Sequence, residues 1–389
     1  MSLLSIHSLN QQISQYYNVL EIFDMLQYGH CIDQMYQKLL QFKKNRFDPT
    51  DRIIFIFSDT EYYIENQFGL TLANTYKIID YLGIPAFCCL FVTEQDYVKK
   101  NVLYLNQTYY AYDNPVQVIE VYIDHSLSFD NLPSPINYNF NKIKKSYIFL
   151  SNQSRKHRSV FYSLLDKHLL LDNGQVSFRL AETLNKIKFP AAVTSQFDLP
   201  TDLEIVLPHP YSICNENWKL VNQEVKEIFD IFVKHTPKDF IFKNFNETSL
   251  PHLDINCANV NLMQQSFLYI AAETMFNYPG SYLTEKSFKG ISCKRPFVIL
   301  GPKNSLKKLK EYGFKTFDHW WDESYDDIND PSERLLAVFD IVKTISQKSN
   351  DELIELAFSL TDVLEYNYNH LTKNFINSQL DNLNKQCLK

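Results

Sequence analysis

The chain has 389 residues, of which 45% are hydrophobic and 15% aromatic, with a formal net charge of −7. That length suits two domains, at about 100–200 residues each, and that apolar content is enough for packed cores. The negative charge argues against a general electrostatic grip on nucleic acid, and only 8 glycines, with no Gly-x-Gly-x-x-Gly or Walker loop, disfavour dinucleotide and P-loop enzymes. The seven cysteines (31, 88, 89, 214, 257, 293, 387) show no Cys-x-x-Cys or Cys/His ligand spacing, so they read as free buried thiols in a reducing compartment, with no metal site. The start, MSLLSIHSLNQQ, has no basic region followed by an apolar run, and no signal peptide is read there. The longest apolar run, 84–92, is far short of the roughly 20 residues that span a bilayer. The expectation is a soluble, cytoplasmic protein (in the host cytoplasm if viral) without stable membrane insertion.

Taken in order, residues 12–45 carry helical periodicity through Val19, Ile22, Phe23, Leu26, Met35, Leu39 and Leu40. Residues 51–57, DRIIFIF, read as a buried strand, and a polar loop with Asp59 and Glu61 follows. A helix is expected over 70–82 and strands over 86–92 and 117–123, the last followed by Asp124 and His125. Alternating strands and helices predict a parallel α/β sheet. Residues 131–145, with Pro133, Pro135, Lys142, Lys144 and Lys145, read as a linker between a first domain, 1–140, and a second, 146–346.

The second domain opens with a strand over 147–150. The segment SNQSRKHR follows, then a helix over 159–167. Ligands of open α/β domains sit off the carboxyl ends of strands, so Arg158 is a candidate for a bidentate diphosphate contact, ahead of Arg155, Lys156 and His157. A strand is expected over 203–207, with His209 in a turn after it, then a helix over 221–233 and a short strand over 239–242. Residues 266–302 carry the densest signal. An apolar run, 267–272, leads through a polar connection to Thr284, a helix N-cap, with Glu285 and Lys286 in the first turn. A buried strand, 296–300, and Gly301-Pro302 close the unit. A helix N-terminus with a lysine suits a phosphate, and a carboxylate beside it suits sugar hydroxyls, which together point to a nucleotide-diphosphate site. Beyond it, a helix is expected over 305–312, a short strand over 314–317 and a helix over 332–346 with Ser332 as N-cap. The loop 319–326 mixes Trp320 and Trp321 with carboxylates; it reads either as a sugar platform or as a packed loop. One or two long helices are expected from 351 to about 383.

The same central stretch resembles the donor-binding motif of α1,3-fucosyltransferases (the GT10-like family). The residues that carry the likeness are Ala272-Glu273-Thr274, Tyr282-Leu283-Thr284-Glu285-Lys286, Phe288-Lys289 and the run from Pro296 to Pro302. Ala272 and Thr274 stand where the family has Phe and Asn, and the spacer is slightly longer. The match covers about a tenth of the chain. The resemblance implies two Rossmann-like α/β domains facing a cleft (GT-B-like), with C-terminal helices, 347–389, packing back on the first domain. It implies a metal-independent glycosyltransferase with no cofactor beyond its nucleotide-sugar donor, GDP- or UDP-linked. Arg158, Glu273, Tyr282, Thr284, Glu285, Lys286 and Lys289 are the donor-binding positions it points to. The family's general base is a carboxylate of the first domain. No motif fixes it here, so Asp59 and Glu61 are the catalytic candidates, with Asp124 and His125 as alternatives.

The acceptor is a hydroxyl, most simply on a glycan. A modified base in DNA is the alternative, for which 142–145 and 303–310 offer lysines, and a non-catalytic nucleotide-sugar-binding protein is the third reading.

Overall fold

The computed structural model describes residues 6–25, 32–43, 46–57, 67–93, 116–121, 139–152, 154–180, 200, 203, 218–245, 260–278 and 280–388. The chain is α/β and divides into two compact units. Among the described residues no helix is long and apolar enough to cross a membrane.

The N-terminal unit contains Ile6–Ile13 (α1), Asn18–Asp24 (β1), Ile32–Leu40 (α2), Asp51–Phe57 (β2), Gln67–Leu82 (α3), Cys89–Thr93 (β3) and Gln117–Glu120 (β4). Its four described strands run in the order β1-β2-β3-β4, all parallel. A parallel sheet covered on both faces needs apolar residues at successive positions, which is what DRIIFIF supplies. Ile53, Phe55 and Phe57 enter one core with Met35, Leu39, Leu72, Tyr76 and Phe91. Ile54 and Ile56 point the other way, to Leu9, Ile13, Leu90 and Val92. The helical reading of 12–45 fails in its middle. Residues Asn18–Asp24 form β1, because register with β2 places Phe23 against Phe55 in a stacked pair at 5.3 Å.

The C-terminal unit contains Lys145–Ser151 (β5), Lys156–Lys167 (α4), Gly174–Arg179 (β6), Gln223–His235 (α5), Ile241–Lys243 (β7), Val260–Gln265 (α6), Ser266–Ala272 (β8), Glu285–Ser292 (α7), Phe297–Leu300 (β9), Ser305–Glu311 (α8), Pro331–Ser346 (α9), Asn350–Ser359 (α10) and Thr361–Asn369 (α11). The sheet order is β7-β6-β5-β8-β9, parallel apart from the edge strand β7. Residues 139–145 are folded rather than a linker: Phe140 is buried and meets Phe358 edge-on at 5.0 Å. Residues 131–138 of the expected linker, and 204–207 of an expected strand, lie outside the described residues. No strand forms over 314–317. There the Asn367 side chain takes the place of a strand partner, accepting from the Lys315 amide and donating to its carbonyl, both at 2.8 Å. Helix α9 starts at Pro331 with Asp330, not Ser332, as N-cap; Asp330 accepts from the amides of Ser332 and Glu333.

The tail divides. Helices α10 and α11 belong to the C-terminal unit, where α10 packs on β5 and β8. The last helix, Phe375–Cys387 (α12), belongs from Ile376 onward to the N-terminal unit. Leu383 and Cys387 enter that unit's second core, and the Tyr17 hydroxyl donates to the Cys387 carbonyl at 2.9 Å.

Candidate functional site

The two sheets differ in where a crevice can form. In the N-terminal unit the described strands follow one another in a single direction. In the C-terminal unit the chain leaves β5 through α4 toward β6, but leaves β8 through α7 toward β9, on the opposite side. Strand order therefore reverses between β5 and β8. Right-handed crossovers put the two helices on opposite faces, and the loops after β5 and β8 part there. Those loops carry SNQSRKHR and the stretch from Glu273 to Thr284.

Glu273 stands just past the end of β8 with no solvent exposure. One carboxylate oxygen accepts from the Thr284 amide at 3.0 Å, the Ser287 amide at 3.2 Å and the Ser287 hydroxyl at 2.6 Å. The other accepts from the Thr284 hydroxyl at 2.6 Å and the Thr274 amide at 3.3 Å. The carboxylate is thus a resident anion at the N-terminus of α7. This narrows an expectation: of the amides at this helix start, Glu273 takes those of Thr284 and Ser287 and the Thr284 hydroxyl takes that of Lys286. Burial raises the Glu273 pKa, while the nearby Lys286 works in the other direction. Gly301 is needed beside it, since a Cβ there would come within 2.9 Å of Ile299 and 3.2 Å of the Glu273 side chain.

Thr284 is the N-cap of α7, as its position before an apolar-periodic run suggests. Glu285 and Lys286 form an ion pair, each side chain about a quarter exposed (28% and 22%). The Lys286 ammonium also donates to the Thr274 and Thr284 hydroxyls at 3.1 and 3.4 Å. For Glu285, burial pushes the pKa up, but the charge and hydrogen bond of Lys286, a hydrogen bond with Thr284 and the charge of Lys289 together outweigh it and the net direction is down. Lys289 is half-buried on the same helix, and its charge acts on Glu285 in the same sense as that of Lys286. Tyr282 is buried, edge-on to Tyr278 at 5.7 Å.

Arg158 lies elsewhere than the sequence suggests. Helix α4 begins at Lys156, three residues early, so Arg158 is in its first turn and buried rather than in an open loop. Its Nη2 donates to the carbonyls of Ala272 and Glu273 at 2.8 and 2.9 Å. His157 Nε2 meets the Glu273 carbonyl at 2.9 Å, and its ring stacks on Phe276 at 5.1 Å. The loops after β5 and β8 are therefore tied together by two cation-capable side chains. Arg155, also buried, is the N-cap of α4 and makes no side-chain cap bond. Trp218 also packs against Phe276, tilted, at 5.3 Å.

His157 gives the site a pH signature. Burial, then the charge of Arg158, holds its pKa well below the usual 6.5, so the folded imidazole stays neutral where the unfolded one takes a proton. A depressed histidine costs stability as pH falls below the unfolded value, by about 1.4 kcal/mol per pH unit until the folded pKa is reached. Glu273 acts oppositely, because its raised pKa lets the folded state bind the extra proton. The expected result is therefore a difference. The unfolding free energy from urea titration, wild type minus His157→Gln, falls toward that slope from pH 6.5 to 5, and parallel curves would refute it.

Asp59, Glu61, Asp124, His125 and His209 lie outside the described residues. The loop with Trp320 and Trp321 packs rather than projects. Trp320 Nε1 donates to the Ser359 hydroxyl at 3.0 Å and Trp321 lies 5.0 Å from Phe317. Glu323 binds the Thr316 hydroxyl and the Phe317 amide, and Asp326 binds the amides of Leu306 and Lys307. Two residues that the sequence does not flag, Phe276 and Arg334, stand in the middle of the arrangement, with the Arg334 guanidinium 4.7 Å above the Phe276 ring.

Comparison with protein-family models, curated proteins and solved structures finds no match to this chain.

Proposed function

We propose that the C-terminal unit binds a nucleotide-diphosphate sugar and that the chain is a glycosyltransferase of the two-domain GT-B kind, passing the sugar to a hydroxyl acceptor on a glycan. The observation that carries this reading is the strand-order reversal between β5 and β8. It brings the loop holding Glu273, Thr284, Glu285 and Lys286 beside the arginine-rich start of α4. A parallel α/β sheet takes ligands at such a reversal, and cationic side chains there suit a diphosphate. The likeness of 272–302 to the fucosyltransferase donor motif supports the same assignment.

In this reading the bond from the anomeric carbon to the β-phosphate oxygen breaks as the acceptor oxygen attacks. The electron pair leaves with the diphosphate, and the acceptor proton passes to a base, for which Asp59 and Glu61 of the N-terminal unit are the candidates. Lys286, with Arg155 and Arg158 near the start of α4, offsets the charge that grows on the leaving group. Lys289 adds positive charge on the same helix, Glu285 takes ribose hydroxyls, and Tyr282 shapes the wall of the loop. Glu273 orders the loop from within. Three of the four lysines of 303–310 are engaged: Lys310 pairs with Asp318 and Glu323, Lys308 with Glu311, and Lys303 bonds Asn329. That favours a glycan acceptor over DNA.

The test is a thermal-shift screen of GDP-, UDP-, dTDP- and CMP-linked sugars. One nucleotide class is expected to raise the melting temperature by a few degrees at saturating concentration. No shift with any of them would refute the donor assignment. A shift without transfer to any hydroxyl would leave a binding protein in place of an enzyme.

A further inference from the structure

Arg334 stands in α9 with 3% of its surface exposed. Its three partners are carbonyl oxygens: Nε donates to Gly301 at 3.1 Å, Nη1 to Ile328 at 2.7 Å and Nη2 to Phe276 at 2.7 Å. Gly301 is the first residue beyond β9, and Phe276 lies in the loop beyond β8. One guanidinium therefore fastens the outgoing chain of two neighbouring strands, both at their carboxyl ends. It also lies over the Phe276 ring, which meets His157 and Trp218 as well.

The choice of residue carries information. Burial disfavours the Arg334 charge, Asp326 and Asp330 offset that only in part, and an apolar side chain of similar volume would fill the space at lower cost. Arginine offers what that replacement lacks, a rigid fork of donors that fixes the relative position of three backbone segments. The segment it fixes is the one that runs from Glu273 to Thr284. Phe276 is three residues from Glu273, and Gly301 follows Leu300, whose carbonyl accepts from the Glu273 amide at 3.0 Å.

We infer that Arg334 is a positioning residue of the donor site: by clamping Phe276 and Gly301 it holds the loop after β8 in the shape that sets Thr284 and Lys286 toward a nucleoside diphosphate. This rests on the donor reading of the same loop. Lysine keeps a charge at the position but cannot reach three diverging carbonyls, so Arg334→Lys separates the fork from the charge.

The experiment uses the full chain and two readouts, amide hydrogen exchange and calorimetric titration with GDP and UDP. Arg334→Lys is expected to speed exchange of amides in 274–284 while leaving those of β1 to β4 unchanged. It is expected to weaken whichever diphosphate binds by at least about tenfold, in the range set by losing charge-assisted hydrogen bonds. Unchanged loop exchange, or unchanged affinity beside faster exchange, overturns the inference. If wild type binds neither diphosphate, the donor reading is what fails, and the exchange alone then decides whether Arg334 positions the loop. Should Arg334→Lys not fold, Phe276→Leu removes the ring face from the same clamp. It is expected to act in the same direction with a smaller effect, and wild-type behaviour of it would count against the inference.

Discussion

Lys286→Ala is expected to lower kcat by about 10²-fold or more, the scale on which lost charge stabilisation is felt in a transition state. The argument starts from where the ammonium sits. It is held over the β8 end by the hydroxyls of Thr274 and Thr284 and paired with Glu285, with about a fifth of the side chain exposed. A leaving diphosphate gains charge as the glycosidic bond breaks, so a cation at that place stabilises the transition state more than the bound donor. Glu285→Ala removes the partner of Lys286 and the carboxylate proposed for ribose. It is expected mainly to raise the KM for donor, with a smaller fall in kcat. Both side chains are partly exposed, so neither truncation opens the core and circular dichroism should be unchanged. Near-normal turnover of a folded Lys286→Ala would remove Lys286 from the chemistry.

Glu273→Ala is expected to destabilise the C-terminal unit strongly, by about 3 kcal/mol or more. Its carboxylate serves three amides and two hydroxyls, all within 3.3 Å and all buried. Removing the acceptor strips the Thr284 and Thr274 amides and the Thr284 and Ser287 hydroxyls of a buried partner and leaves no counter-charge at the positive end of α7, and each buried orphan costs about 1–3 kcal/mol. Thr284→Ala removes only the N-cap and one hydroxyl, so about 1 kcal/mol is expected there. Urea denaturation checks both, as a lower midpoint at constant slope. A Glu273→Ala midpoint matching wild type would mean that water replaces the carboxylate at no cost. The variant also separates roles: Glu273 should set stability and Lys286 turnover.

The strand–helix–strand unit over 266–302 was legible because its strands are buried on both faces. They read as unbroken apolar runs, and Thr284 punctuates the helix between them. β1 was not legible, since the apolar positions of NVLEIFD fit helical and extended spacing alike, and only pairing with β2 decides between them. β6, GQVSFR, hides its strand behind Gln, Ser and Arg. The start of α4 carries no capping signal, because Arg155 caps nothing through its side chain. The tail, read as one or two long helices packing back on the first domain, instead divides between two units at 375 and 376.

Within the candidate site, the residues at the start of α7 were readable from local chemistry. The engagement of Arg158 was not, since its acceptors are carbonyls 114 and 115 positions away. Nor was the capping by Glu273, whose partners lie 11 and 14 residues ahead. Arg334 is one arginine in a helix by sequence, and Asp330-Pro331 was the local signal that would have fixed where that helix starts.

The most direct measurement of the central claim is calorimetric titration of wild type and Lys286→Ala with GDP, UDP and the matching nucleotide sugars. Wild type is expected to bind one nucleotide class, and the substitution to weaken the free diphosphate at least about tenfold. The matching sugar, which carries less phosphate charge, should lose less affinity. Equal loss for both, or no binding of either nucleotide by wild type at millimolar concentration, would contradict a diphosphate site built on this loop.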